Sequence, residues 1–225
     1  PEYKPTYMAE RKASKIAIIV ITSDKGLCGG LNANLLREVT NFASQGDYEN
    51  AKKASREFAD IFPDPFIMLT AISENTKTIK IGTSAAILPY RNPIIIAKML
   101  STLDHVSNGR VTCTVAIGWM EEEFEILERP PFKERGAVTD EYINIFKELW
   151  TNDSPSFKGK YTSFPEINFY PKPVQEPHPP IWIGGESPPA LKRAARLGDG
   201  WYPIGRNPIF PLKTIDRMHD SISIL

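Results

Sequence analysis

The residues of this chain that could do chemistry fall into two glycine turns, one acidic cluster, three histidines and two cysteines. Residues 23–32 (SDKGLCGGLN) lie between a β-branched apolar run and a helical pattern. A glycine turn in that place can aim backbone N–H groups at a phosphate; the competing reading is a tight structural turn. The segment matches neither G-x-x-x-x-G-K-[ST] nor G-x-G-x-x-G, so the specific nucleotide fingerprints are absent. Glu121, Glu122, Glu123 and Glu125 offer carboxylates for acid–base work. Acidic residues at a helix start complement the helix dipole, however, and a solvated face is the simpler reading. His105, His178 and His219 are scattered without metal-ligand spacing, so no metal site is expected. Cys28 and Cys113 stand far apart and read as reduced thiols of a cytoplasmic protein rather than a disulfide framework. Cys113 falls within a strand pattern and is expected to be a buried core thiol.

These residues need elements to position them. Residues 15–22 (KIAIIVIT) form a continuous β-branched run, the pattern of a strand buried on both faces. Leu31, Leu35, Val39 and Phe42 then recur at helical spacing, and residues 43–58 read as a polar linker. Beyond it the texture becomes strand-then-helix. Asp64-Pro65 caps a helix to about residue 75, and Asn92-Pro93 caps another to about residue 103. Strands are expected over 79–88, 110–118, 180–184 and 200–204, with helices over 120–127, 139–150 and 188–197. Residues 156–174, rich in aromatics, Gly and Pro, read as a hairpin excursion. Alternation of this kind makes an α/β fold with a parallel sheet, either open and doubly wound or closed into a barrel.

Bulk properties narrow the partners. Twenty-seven basic and 27 acidic residues leave no net charge, which gives no reason to expect nucleic acid. No stretch approaches the roughly 20 apolar residues of a membrane span, and no secretory signal is visible. Nor does the charge balance give a reason to expect an anionic membrane as partner. The chain opens on Pro1 and closes at Leu225 after an apparent helix, and it reads as a piece of something longer.

Two resemblances emerge from the motifs. Residues 7–39 (YMAERKASKIAIIVITSDKGLCGGLNANLLREV) resemble the amino-terminal part of the gamma subunit of F-type ATP synthases, where the segment is structural. Residues 79–119 (IKIGTSAAILPYRNPIIIAKMLSTLDHVSNGRVTCTVAIGW) resemble the third and fourth strands, with the helix between, of luciferase-like monooxygenases. DEYINIFKELW (140–150), PKPVQEPHPPIWIGG (171–185) and ALKRAARLGDGWYP (190–203) extend that second resemblance in the same order. It implies part of a (β/α)₈ barrel with its active site at the carboxyl ends of the strands. Together the two imply a chimera: residues 1–45 a gamma-like strand-loop-helix unit of different origin, residues 46–225 an incomplete luciferase-like barrel.

The second resemblance further implies a deazaflavin cofactor, coenzyme F420, with FMN as the alternative. It assigns cofactor-binding positions one at a time. Ser84-Ala85 falls where the family often places a non-prolyl cis peptide beneath the cofactor ring. Gly118 and Trp119, at a strand end, would face that ring, although ordinary packing explains Trp119 equally well. Gly184, Gly185, Glu186 and Ser187 would receive the cofactor phosphate, the alternative being a simple strand-to-helix turn. No residue is assigned as general acid or base, because in deazaflavin relatives those usually come from early strands that are absent or replaced here. The implied function is hydride transfer or monooxygenation on an unknown organic substrate, with a homodimer expected of an intact relative. The alternative is a rotor-stalk fragment fused to an inactive piece of barrel.

Overall fold

The computed structural model describes residues 64–225 apart from Arg206 and Pro208. The 15–22 strand, the SDKGLCGGLN turn and the gamma-like segment therefore lie outside the described residues.

Local sequence accounts for where the helices begin. Helix α1 (Pro65–Asn75) starts where Asp64 Oδ1 accepts the N–H groups of Phe66 and Ile67, at 2.9 and 3.2 Å. Helix α2 (Pro93–Val106) starts in the same way, with Asn92 Oδ1 accepting from Ile94 at 2.9 Å and Ile95 at 3.4 Å. In both, proline takes a position whose N–H would have no helical partner. Helix α2 runs past its expected end near residue 103, to Val106, before Asn108 and Gly109 turn the chain with positive φ. Helix α3 (Glu121–Ile126) is short, and α4 (Arg135–Thr151) begins four residues earlier than its aromatic spacing suggested. Helix α5 (Pro188–Leu197) and a final helix α6 (Ile215–Ile222) complete the set.

The strands are β1 (Ile81–Gly82), β2 (Ala86–Ile87), β3 (Val111–Ala116), β4 (Phe157–Lys158), β5 (Ser163–Phe164), β6 (Ile181–Gly184) and β7 (Gly200–Tyr202). Strands β4 and β5 form the expected antiparallel excursion. The rest make one parallel sheet in which β1 and β2 both pair with β3, β3 with β6, and β6 with β7. Neighbours follow strict chain order without the reversal of a doubly wound sheet, so the alternative left open by the sequence resolves toward the barrel type.

The single strand expected over 79–88 is broken, and the register shows how. Gly82 pairs with Thr112 and Ala86 with Val115, so three residues (83–85) oppose two (113–114). This is a bulge with one extra residue. Inside it the Thr83 hydroxyl donates to the Thr114 carbonyl at 2.8 Å, a bond that a regular ladder would draw from a backbone N–H. The Ser84–Ala85 peptide in the same bulge is cis.

Alternation along the strands separates the two faces of the sheet. Val111, Cys113, Val115, Ile181 and Ile183 join Leu100, Ile143, Phe146 and Leu149 in one buried cluster beneath the helices. Thr112, Ala116, Trp182, Gly184, Gly200 and Tyr202 alternate with them and stay half-buried on the other face. Each fully buried Leu, Ile or Phe contributes about 1.5–3 kcal/mol, so the helical side holds the fold while the opposite side is left for other uses.

Candidate functional site

Because the strands are parallel, their carboxyl ends share one rim. It is formed by the bulge at 83–85, residues 117–119 after β3, 185–187 after β6 and 203–205 after β7.

The floor of this rim consists of small residues. A Cβ placed on Gly184 would stand 3.2 Å from the Val115 carbonyl oxygen, 3.8 Å from Ala116 Cβ and 3.9 Å from Ala85 Cβ. Ala85, Ala116 and Gly184 thus converge into a shallow platform at the ends of three adjacent strands. Tyr202 pairs with Gly184 at its border and stacks on Trp182, with centroids 6.4 Å apart. Ser84 lies in the bulge, half-buried. At the end of β3, Gly118 takes a φ of +82°, and a Cβ there would lie 3.0 Å from both Ile87 and Phe124. A side chain there is strained by the backbone conformation and crowded by both neighbours. Trp119 next to it is 62% exposed, so its indole is not a core residue.

The other half of the rim is the start of α5. Gly185, with φ +112°, donates its N–H to the Tyr202 carbonyl at 3.3 Å and accepts from Trp201 Nε1 at 2.8 Å. Pro188 and Pro189 carry no N–H, which removes two of the donors a helix start normally offers. Ser187 caps the helix, its hydroxyl accepting from Ala190 at 3.4 Å. Among the described residues, the N–H groups of Glu186 and Ser187 have no protein acceptor. Two consecutive unmatched donors thus stand beside a positive-φ glycine just before a helix start, a place where backbone N–H groups can face an anion. The Glu186 side chain is buried, its Oε1 accepting from the N–H groups of Ile204 and Gly205, the latter at 2.9 Å.

Arg135 belongs to the site although no motif or spacing singled it out. Its Nε donates to the Gly118 carbonyl at 3.2 Å, and its guanidinium lies 3.8 Å from the centre of the Phe132 ring. Burial lowers its pKa from the ordinary value, with Glu121 opposing, and it stays cationic throughout the physiological range. Ala116 was missed for a different reason: it is the last residue of a strand, and only the pairing shows that it faces Ala85 and Gly184. A cavity of about 640 Å³ beside Gly118 is lined by Phe124, Arg129, Phe132 and Arg135 among others, and no residue of 184–187 lines it.

The remaining candidates divide cleanly. Of the candidate residues, 118–119 follow β3, Gly184 ends β6 with 185–187 after it, and 84–85 lie in the bulge between β1 and β2. Three of the four glutamates at the head of α3 are exposed, while half-buried Glu123 accepts from the Tyr90 hydroxyl. His178 packs against Trp150 with the rings tilted by 39°, and His105 bonds the Lys172 carbonyl at 2.6 Å. Cys113 is fully buried, and burial pushes its thiol up to about 12. No cluster of metal-binding side chains occurs among the described residues.

A family model described as luciferase-like monooxygenase matches residues 26–222. The chain belongs to the luciferase-like monooxygenase family. Within it, an FMNH₂-dependent dimethylsulfone monooxygenase of Pseudomonas putida is 37% identical over 139 residues, 60% of this chain and 38% of that protein. An F420-dependent glucose-6-phosphate dehydrogenase of Amycolatopsis mediterranei is 38% identical over 136 residues, 59% of this chain and 40% of that protein. The crystal structure of a monooxygenase from Streptomyces bottropensis superposes with a TM-score of 0.65 at 25% identity, covering 75% of this chain and 50% of that one. The chain spans about half the length, or less, of these luciferase-like relatives. The match begins at residue 26, inside the segment that resembles a rotor-stalk subunit.

Proposed function

We propose that this chain carries the cofactor platform of a luciferase-like oxidoreductase acting on a small organic substrate by hydride transfer or monooxygenation. The observation that carries the reading is the pair of free N–H groups at Glu186 and Ser187, set beside the Ala85–Ala116–Gly184 floor. A flat surface of small residues accepts a planar ring system, and the two donors accept a phosphate at one end of it. That pairing fits a phosphate-bearing flavin or deazaflavin; we assign coenzyme F420, with FMN as the alternative. Relatives of similar identity are named for each.

When bound, such a cofactor supplies the hydride or oxygen chemistry itself. The residues of this chain bind and orient. Ala85, Ala116 and Gly184 leave room for the ring, and Gly118 lets the backbone pass close beside it. Arg135 fixes the Gly118 carbonyl, and Glu186 and Ser187 hold the phosphate through their N–H groups. No described side chain is assigned to move a proton. The division at about residue 45 and a homodimeric state belong to the same proposal.

The test is titration of the purified chain with coenzyme F420 and with FMN, followed by fluorescence, with light scattering for self-association. Saturable micromolar binding of either supports the reading and identifies the cofactor. A folded chain that binds neither overturns it.

A further inference from the structure

The Glu186 carboxylate is the least expected group on the rim. A carboxylate can only accept hydrogen bonds, and beside two amides free to hold an anion it would repel that anion. The side chain is nevertheless 3% exposed and committed elsewhere. Its Oε1 accepts from Ile204 and Gly205, both in the loop that follows β7. Its Oε2 is buried with no hydrogen-bond partner among the described residues. The same two loops are joined by the Gly185 N–H to the Tyr202 carbonyl at 3.3 Å and by Trp201 Nε1 to the Gly185 carbonyl at 2.8 Å.

We propose that Glu186 is a positioning residue: its buried carboxylate straps the loop after β6 to the loop after β7, and thereby holds the Glu186 and Ser187 N–H groups in place to receive a phosphate. This deepens the functional reading above and rests on it. The strap does two things at once. Drawing the carboxylate into the protein keeps its charge from facing an anion held beside it. Tying the loop to a second strand end fixes the direction of adjacent donors that no helical partner constrains, because Glu186 and Ser187 precede the first turn of α5. Oε1 alone carries the strap, since Oε2 has no hydrogen-bond partner among the described residues.

The charge is therefore dispensable and the reach is not. Glu186→Gln keeps an oxygen at the same distance for both N–H groups and removes the negative charge. Glu186→Asp keeps the charge but withdraws it by one methylene, and Glu186→Ala removes both. The experiment compares each cofactor with its phosphate-free form: FMN with riboflavin, and F420 with its 8-hydroxy-5-deazariboflavin core. Affinities are read by fluorescence for the wild-type chain and the three variants, with thermal unfolding recorded for each.

The wild type is expected to prefer the phosphate-bearing form. Glu186→Gln keeps or raises that preference, and Glu186→Asp and Glu186→Ala lose about tenfold of it while riboflavin or the deazariboflavin core binds as before. Should Glu186→Ala not fold, the order of the Gln and Asp variants decides alone. Preference retained in Glu186→Asp and lost in Glu186→Gln overturns the strap, because charge would then be what matters. Preference unchanged in all variants overturns it as well, and leaves the functional reading standing. A folded wild type that binds neither phosphate-bearing form overturns both together.

Discussion

The two ends of the parallel sheet are built on opposite terms. Among the described residues, the buried side-chain N and O atoms at the amino ends of the strands all have hydrogen-bond partners. Arg110 is buried and donates to the carbonyls of Ser73, Thr76, Ile79 and Ser107 and to the Thr76 hydroxyl, at 2.6 to 3.1 Å. It closes the exposed carbonyl ends of α1 and α2 with one guanidinium, the favourable sign for a helix carboxyl terminus. Asp104, fully buried, accepts from the N–H groups of Val174 and Gln175 and from Gln175 Nε2, at 2.7 to 2.9 Å. At the carboxyl ends the opposite holds. Two N–H groups and one carboxylate oxygen have no partner among the described residues, positive-φ glycines replace side chains, and Trp119 is exposed. One end is finished as structure; the other keeps unmatched donors, which the proposed cofactor would engage.

Substitutions at the two ends should therefore separate stability from binding. The largest effect is expected of Arg110→Met, which strands several buried acceptors at once and should cost about 3–5 kcal/mol in denaturant unfolding. Among molecules still folded, cofactor affinity should be unchanged; a parallel loss of affinity would erase the distinction between the ends. Ala116→Leu is the reverse case. It fills the floor from a half-buried position, so binding of F420 or FMN should weaken by at least about tenfold. Its unfolding free energy should move by less than about 1 kcal/mol. Ser187→Ala touches both properties lightly: losing the cap costs about 1 kcal/mol, and affinity should fall only a few-fold because the Ser187 N–H remains.

The last effect concerns pH and is absent at neutral pH. The Cys113 thiol is raised from 9.0 to about 12 by burial, so in the folded chain it holds its proton where the unfolded chain has released it. Stability should fall as pH rises through that window, about 9 to 12, and should not vary with Cys113 below it. Urea unfolding across the range should show this slope in the wild type and its absence in Cys113→Ala. The same burial keeps the thiol unreactive toward alkylating reagents at neutral pH.

Much of this was legible beforehand. Asp64-Pro65, Asn92-Pro93 and Ser187-Pro188 each announce a helix start through chemistry confined to two adjacent residues, and all three helices begin there. Val111, Thr112, Thr114, Val115, Ile181 and Ile183, the β-branched residues within 110–118 and 180–184, mark the central strands, because such side chains pack well on a pleated surface. What the sequence concealed depends on pairing across distant segments. The extra residue at 83–85 appears only when Gly82 and Ala86 are set against Thr112 and Val115. Arg135 and Arg110 look like ordinary surface arginines until the carbonyls they bind, 17 residues or more away in the chain for Gly118 and Ile79, are brought to them. The Glu186 strap was hidden for the same reason, since its partners lie in another strand's loop. The gamma-like resemblance falls outside the described residues, while the luciferase-like match extends into it from residue 26.

The central claim is that the Glu186 and Ser187 N–H groups receive the cofactor phosphate. The most direct measurement is ¹⁵N-resolved NMR of the chain titrated with FMN or F420 and, separately, with the phosphate-free forms. The account expects the Glu186 and Ser187 amide resonances to move most with the phosphate-bearing cofactor and to stay in place with riboflavin or the deazariboflavin core. Phosphate-dependent shifts centred instead on Arg129 and Arg135 around the neighbouring cavity, with Glu186 and Ser187 unmoved, would contradict it.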